Sequence, residues 1–180
     1  MELPKKLVLP KLPFNYSDLE PCVSAKTIKT HYEGHHRNYV INYNKAIKTF
    51  DLTNLLFNYN GYLLHNFYWN SLHPNISFPQ NRTQLKLVES GFTSKVEFDE
   101  TLVEVCTNFK GSGWILVILD NNKIKIQTIQ NNDLDAVTQP ILLTIDAFEH
   151  AYYLDYTFNK KHHFSCIVKL LNWPYVESLL

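Results

Sequence analysis

The segment Asp146-Ala-Phe-Glu-His-Ala-Tyr-Tyr153 follows directly on the apolar run Ile141-Leu-Leu-Thr-Ile145. Such a run predicts a strand. It sets a carboxylate at the strand's end and an imidazole, His150, four residues on. Two further stretches precede it. Lys123-Ile-Lys-Ile-Gln-Thr-Ile129 alternates with period two, as a half-buried strand does, and Trp114-Ile-Leu-Val-Ile-Leu119 is β-rich and mostly apolar. Asn121-Asn122 between them is a turn signal. Together these predict a small three-stranded antiparallel sheet. Helical patterns at about 84–91, 94–108, 148–156 and 162–171 flank it.

The N-terminal half reads differently. After an extended, proline-marked lead, Ser24 looks like a helix N-cap, and a helix is expected over about 25–49, with Gly34 as its weak point. Asp51-Leu-Thr-Asn54 reads as a turn and a second cap. A second helix over about 55–71 is closed by His73-Pro74. Two helices joined by a short turn form an antiparallel hairpin. The expected fold is therefore α+β: an N-terminal helical hairpin domain over 1–80 and a C-terminal domain over 81–180, with the boundary in the polar, proline-containing connection.

The 180-residue chain is 45% apolar and 19% charged, which fits a globular protein with a core. Seventeen basic residues balance seventeen acidic ones. That balance speaks against nucleic acid as a partner. No stretch approaches a membrane span, and the N-terminal apolar patch is too short and proline-broken for a signal core. Cytoplasmic residence is the default expectation. Cys22, Cys106 and Cys166 are odd in number and widely spaced. They are read as three reduced thiols in a reducing compartment.

Four side chains stand out: His31 in Thr30-His-Tyr-Glu-Gly-His-His36, His65 in Leu64-His-Asn-Phe-Tyr-Trp69, then Asp146 and His150. Taken singly, each has an ordinary explanation. A helical histidine packs or faces solvent, an imidazole in an aromatic run fills a core, and an aspartate at a strand end caps a helix. His36 is expected to point away from His31, as surface or packing. Taken together, three imidazoles and one carboxylate suit a borderline first-row metal such as iron or manganese, and an open position on it makes a catalyst.

These segments resemble the iron/manganese superoxide dismutase family. The similarity lies in Ser24-Ala-Lys-Thr-Ile-Lys-Thr-His31-Tyr-Glu-Gly-His35-His36-Arg-Asn-Tyr39-Val40, in His65-Asn-Phe-Tyr-Trp69, in Gly111-Ser-Gly-Trp114, in Asp146–Tyr153 and in Asn172-Trp173. The resemblance implies one iron or manganese ion per chain, held by His31, His65, Asp146 and His150 and cycling between M(III) and M(II). The implied reaction converts superoxide to dioxygen and hydrogen peroxide. Tyr39 and His35 match the gateway residues, and Trp69 and Trp114 match aromatics around the metal. Glu149 and Tyr153 match residues that reach across a homodimer interface. A catalytically inactive, dismutase-like structural subunit is the alternative.

The chain departs from the family pattern at several points. The glutamine that hydrogen-bonds the metal's solvent is absent. Gly61 stands at its iron-type position, and Asn132, or Gln130 if the alignment slips, at its manganese-type position. On this basis the expected metal leans slightly to iron or to use of both. Leu116 and Phe148 replace tryptophans, the asparagine before His65 is missing, Gly34 replaces a lysine, and Lys160 stands in for an anion-guiding arginine. The segment between His31 and His65 is short.

Overall fold

The computed structural model describes residues 5–74, 78, 82–135 and 137–180. The boundary expected between 80 and 81 lies outside the described residues. Helix α1 (Ala25–Thr30) runs through a π-helical turn (His31–His36) into α2 (Arg37–Thr49). The Ser24 hydroxyl accepts from the Thr27 N–H, satisfying one of the donors that a helix start leaves free. Phe50, in the left-handed region at φ 54°, stops α2. Asp51 then caps α3 (Leu52–Ser71) through the Asn54 N–H, so the second helix starts three residues before the expected point. The helical hairpin is as predicted.

Helices α4 (Arg82–Glu89) and α5 (Lys95–Asn108, capped by Ser94) lead into the sheet. Strands β1 (Gly113–Asp120), β2 (Lys123–Gln130) and β3 (Ile141–Asp146) form an antiparallel sheet in the order β2-β1-β3. Asn121 and Asn122 both take positive φ (48° and 62°), which matches the twist of a two-residue hairpin. The central strand β1 is buried along most of its length, and β2 alternates. The chain finishes with a 3-10 turn (Glu149–Ala151), α6 (Tyr153–Tyr156), α7 (Lys160–Ile167) with a 3-10 extension (Val168–Leu170), and α8 (Trp173–Leu179).

One continuous core joins the halves: Ile28, Leu64 and Tyr68 from the hairpin pack with Phe98, Ile115 and Leu143. The Ser71 hydroxyl accepts from the Thr144 N–H at 2.8 Å, pinning the end of α3 to β3. Among the described residues, no helix is long and apolar enough to cross a membrane.

The cysteines correct the expectation of three free thiols. Cys22 and Cys166 form a disulfide with Cα atoms 5.5 Å apart, and only Cys106, buried, is free. Cysteine usage therefore gives no support to a reducing compartment. The pairing escaped a reading by spacing because 144 residues separate the partners and the fold alone brings the start of α1 against α7.

Candidate metal centre

His31 lies where α1 passes into the π turn. His65 lies in mid-α3, Asp146 ends β3, and His150 lies in the 3-10 turn that follows. The register Trp114↔Asp146 sets the carboxylate beside the central strand, facing the hairpin. The fold brings these four residues together, with one ligating atom from each within 4.8 Å of all the others. The Asp146 Oδ2 atom is 3.1 Å from His31 Nε2, 3.2 Å from His150 Nε2 and 3.9 Å from His65 Nε2. Donors bound about 2.0–2.1 Å from one ion stand about 3 to 3.6 Å apart at neighbouring positions and up to about 4.2 Å apart across it, so these three spacings are compatible with a shared coordination shell.

Several contacts fix the orientation. His65 Nδ1 lies 2.6 Å from the Gly61 carbonyl oxygen. A carbonyl can only accept, so Nδ1 carries the proton and Nε2 presents a lone pair to the cluster. The other carboxylate oxygen, Asp146 Oδ1, accepts from the Phe148 N–H at 2.8 Å. The Nε2 atoms of His31 and His65 are buried and meet no hydrogen-bond partner among the described residues. Unpartnered buried nitrogens are costly unless something else uses them, and a metal ion does. Three imidazoles and a carboxylate also form a donor set suited to iron or manganese. The residues present therefore fit the group.

Electrostatics keep the donors in their ligating states. Burial pushes the His31 imidazole down to about 4 and that of His65 well below its ordinary value, so both are neutral at neutral pH. Burial alone would raise the Asp146 carboxyl. The neighbouring imidazoles of His150 and His31 outweigh it and hold the group below the usual carboxylate range.

Around the four donors, Trp114 Nε1–H donates to Asn132 Oδ1 at 3.0 Å. This aims the amide, and its buried Nδ2 meets no partner among the described residues. A Cβ at Gly61 would lie 2.5 Å from two Tyr39 ring carbons and 2.8 Å from Asn132 Nδ2, so the glycine is what admits both side chains. Burial raises the Tyr39 hydroxyl above its ordinary pKa, with the nearby Asn132 amide acting the other way. The other candidate amide, Gln130, is exposed and donates to the Lys110 carbonyl, so it does not join the site. His35 stacks on His150, with ring centroids 3.8 Å apart. Phe148 covers the other neighbourhood of His150 at 5.1 Å. Lys160, expected to guide the anion, donates to the Phe109 carbonyl instead. Glu149 and Tyr153 lie exposed beside His150.

Of the two expectations for His36, surface or packing, the structure shows packing. His36 is fully buried, its ring lies parallel to that of His65, and it accepts from the Trp69 indole. The expectation that it points away from His31 assumed an unbroken α-helix. A π turn, with Gly34 inside it, interrupts that helix.

Comparison with known proteins gives the family. The α-hairpin domain of iron/manganese superoxide dismutases matches residues 6–56, and the C-terminal domain of the same family matches residues 80–179. An iron superoxide dismutase of Synechococcus elongatus is 35% identical, the match covering 94% of each chain. A manganese superoxide dismutase of Chlamydia muridarum is 34% identical over 94% of this chain and 93% of its own. An iron superoxide dismutase of Synechocystis is 33% identical over 96% of each.

Proposed function

The chain belongs to the iron/manganese superoxide dismutase family, and from the convergence of four donors, three of them buried, we infer that His31, His65, Asp146 and His150 hold the iron or manganese ion. The protein is an enzyme that converts two superoxide anions and two protons into dioxygen and hydrogen peroxide. The bound ion supplies the one-electron couple between the two half-reactions.

The chain's own groups do the rest. Asp146 contributes the one negative charge of the donor set, leaving a bound trivalent ion with net positive charge that draws an anion. The Gly61 carbonyl holds His65 in its ligating tautomer. To Tyr39, whose ring lies 5.2 Å from that of His65 and whose hydroxyl stays protonated at neutral pH, we assign the passing of a proton inward, with His35, stacked on His150, beside it. Asn132 presents an amide N–H where the family places its solvent-binding glutamine. Phe148, Trp69, Trp114 and Tyr68 exclude water from the remaining wall, which strengthens every charge interaction inside. Either metal suits the donors. Asparagine reaches one methylene less far than glutamine, and on that basis we favour iron, or use of both metals.

We also propose a homodimer. Tyr153, Leu154 and Phe158 are 52%, 51% and 88% exposed, an apolar face directly beyond His150 and Glu149. Elemental analysis of the purified protein, with superoxide turnover after reconstitution with each metal, tests the site. The expected result is about one ion per chain and turnover that follows metal content. A fully loaded protein without turnover, or full metal retention in Asp146→Asn, overturns the assignment.

A further inference from the structure

We propose that His36 is a positioning residue for the metal pocket, bracing the first two ligands against each other through Trp69. An α-helix turns about 100° per residue, so five residues carry a side chain about 140° away from its starting direction. His36 in such a helix faces away from His31. In the π turn the Arg37 N–H reaches back five residues to the Tyr32 carbonyl, and the extra residue changes the direction in which His36 leaves the helix. Its Nδ1 lies 3.0 Å from Trp69 Nε1. An indole can only donate, so Nδ1 is the acceptor and the proton sits on Nε2. The imidazole plane is 13° from that of His65, with centroids 5.1 Å apart. The indole that it holds lies 4.7 Å from the His31 ring. His36 thus touches His65 directly and His31 through Trp69, and it ties the helix that carries one ligand to the helix that carries the other.

The chemistry singles out the acceptor. Trp69 is almost fully buried, so its N–H has no ready access to water if His36 is lost. In His36→Leu the indole must rotate or admit solvent, and the wall of His31 moves with it. In His36→Asn the amide oxygen stands close to the place of Nδ1 and the acceptor survives. The proposal rests on the ligand assignment above. The experiment follows chelator-driven loss of metal from the loaded protein, beside superoxide turnover, for the wild type, His36→Leu, His36→Asn, Trp69→Phe and the double variants. Loss of partners that orient metal ligands costs about 10–100-fold in metal affinity or activity. Metal release in His36→Leu should quicken by about that factor, and His36→Asn should recover most of it. In the Trp69→Phe background, which has no indole N–H to satisfy, the Leu and Asn variants should release metal alike. Equal release from the wild type and His36→Leu overturns the proposal, as does an Asn variant no better than Leu, or a Leu–Asn difference that persists without the indole. If His36→Leu fails to fold, His36→Ala, which likewise offers the indole no acceptor, takes its place in both comparisons. A wild type that holds no metal overturns the ligand assignment itself and the proposal with it.

Discussion

His163 offers the sharpest test of how burial sets the protein's response to acid. It is fully buried on α7, with ring centroids 5.5 Å from Tyr152, 5.2 Å from Tyr156 and 4.9 Å from Phe164. Neither ring nitrogen meets a hydrogen-bond partner among the described residues. Burial pushes its pKa from 6.5 down to about 3. The folded state therefore keeps this imidazole neutral, while the unfolded chain takes up a proton below pH 6.5. The unfolded state binds more protons throughout that window, so stability falls as pH drops from about 6.5 toward 3 and is insensitive to this group above it. At pH 5 the loss is about 2 kcal/mol, from 1.5 pH units at about 1.36 kcal/mol each. His163→Phe removes that proton. The larger ring carries a packing cost of its own, but that cost is the same at every pH. Urea unfolding of both proteins at pH 8 and pH 5 isolates the proton as a double difference. Between those two values the variant should lose about 2 kcal/mol less stability than the wild type. Parallel stability curves for the two proteins would refute the reasoning, because they would show His163 charging in the folded state as easily as in the unfolded one.

Asp146→Asn removes the only negative charge among the four donors. Metal content after dialysis and superoxide turnover should fall together, by more than the roughly 10–100-fold that loss of a ligand's supporting partner costs. Cys166→Ser opens a disulfide that spans 144 residues. A loop of that length predicts a loss of at most about 5 kcal/mol, more typically 2–4, so the urea midpoint should drop and added reductant should have no further effect on the variant. Gly61→Ala drives a methyl group into Tyr39 and Asn132. Overpacking of this kind costs about 1–3 kcal/mol, and turnover should fall even in the metal-loaded fraction. Phe158→Lys should shift the sedimentation coefficient toward that of a monomer if the exposed face beyond His150 is the dimer contact. An unchanged value would remove that face from consideration.

What could be read in the sequence divides along a physical line. Period two along 123–129, the apolar run 141–145 and the caps at Ser24 and Asp51 are local signals, and they gave the sheet, the hairpin and the end of the strand on which Asp146 stands. The convergence of His31, His65, Asp146 and His150 was suggested by the company these residues keep, and the register Trp114↔Asp146 supplies its mechanism. The misses concern what local periodicity cannot carry. A π turn changes the angle per residue over six positions, so the choice between surface and packing for His36 could not be read from an α-helical period. The choice between Gln130 and Asn132 turned on where β2 ends. Gln130 is the last residue of the strand and faces solvent, whereas Asn132, two residues on and past the positive-φ Asn131, turns inward to meet Trp114.

The Cys22–Cys166 pair connects these points. The four donors come from two halves of the chain, His31 and His65 from the hairpin and Asp146 and His150 from the sheet and its sequel. Their spacing therefore depends on how α1 lies against the C-terminal half. Three ties cluster at the start of α1. They are the disulfide, the Ser24 hydroxyl and N–H donating to the Asp155 carboxylate at 2.7 and 2.9 Å, and the Tyr156 hydroxyl donating to the Cys22 carbonyl at 2.6 Å. Asp155 and Tyr156 lie on α6, only five and six residues beyond His150, and Ser24 lies seven residues before His31. The crosslink thus closes a short circuit of chain around the pocket, with one of the inferred metal donors on each side. An error in the placement of α1 has little length over which to relax, which is what a site with donors 3.1 to 3.9 Å apart requires.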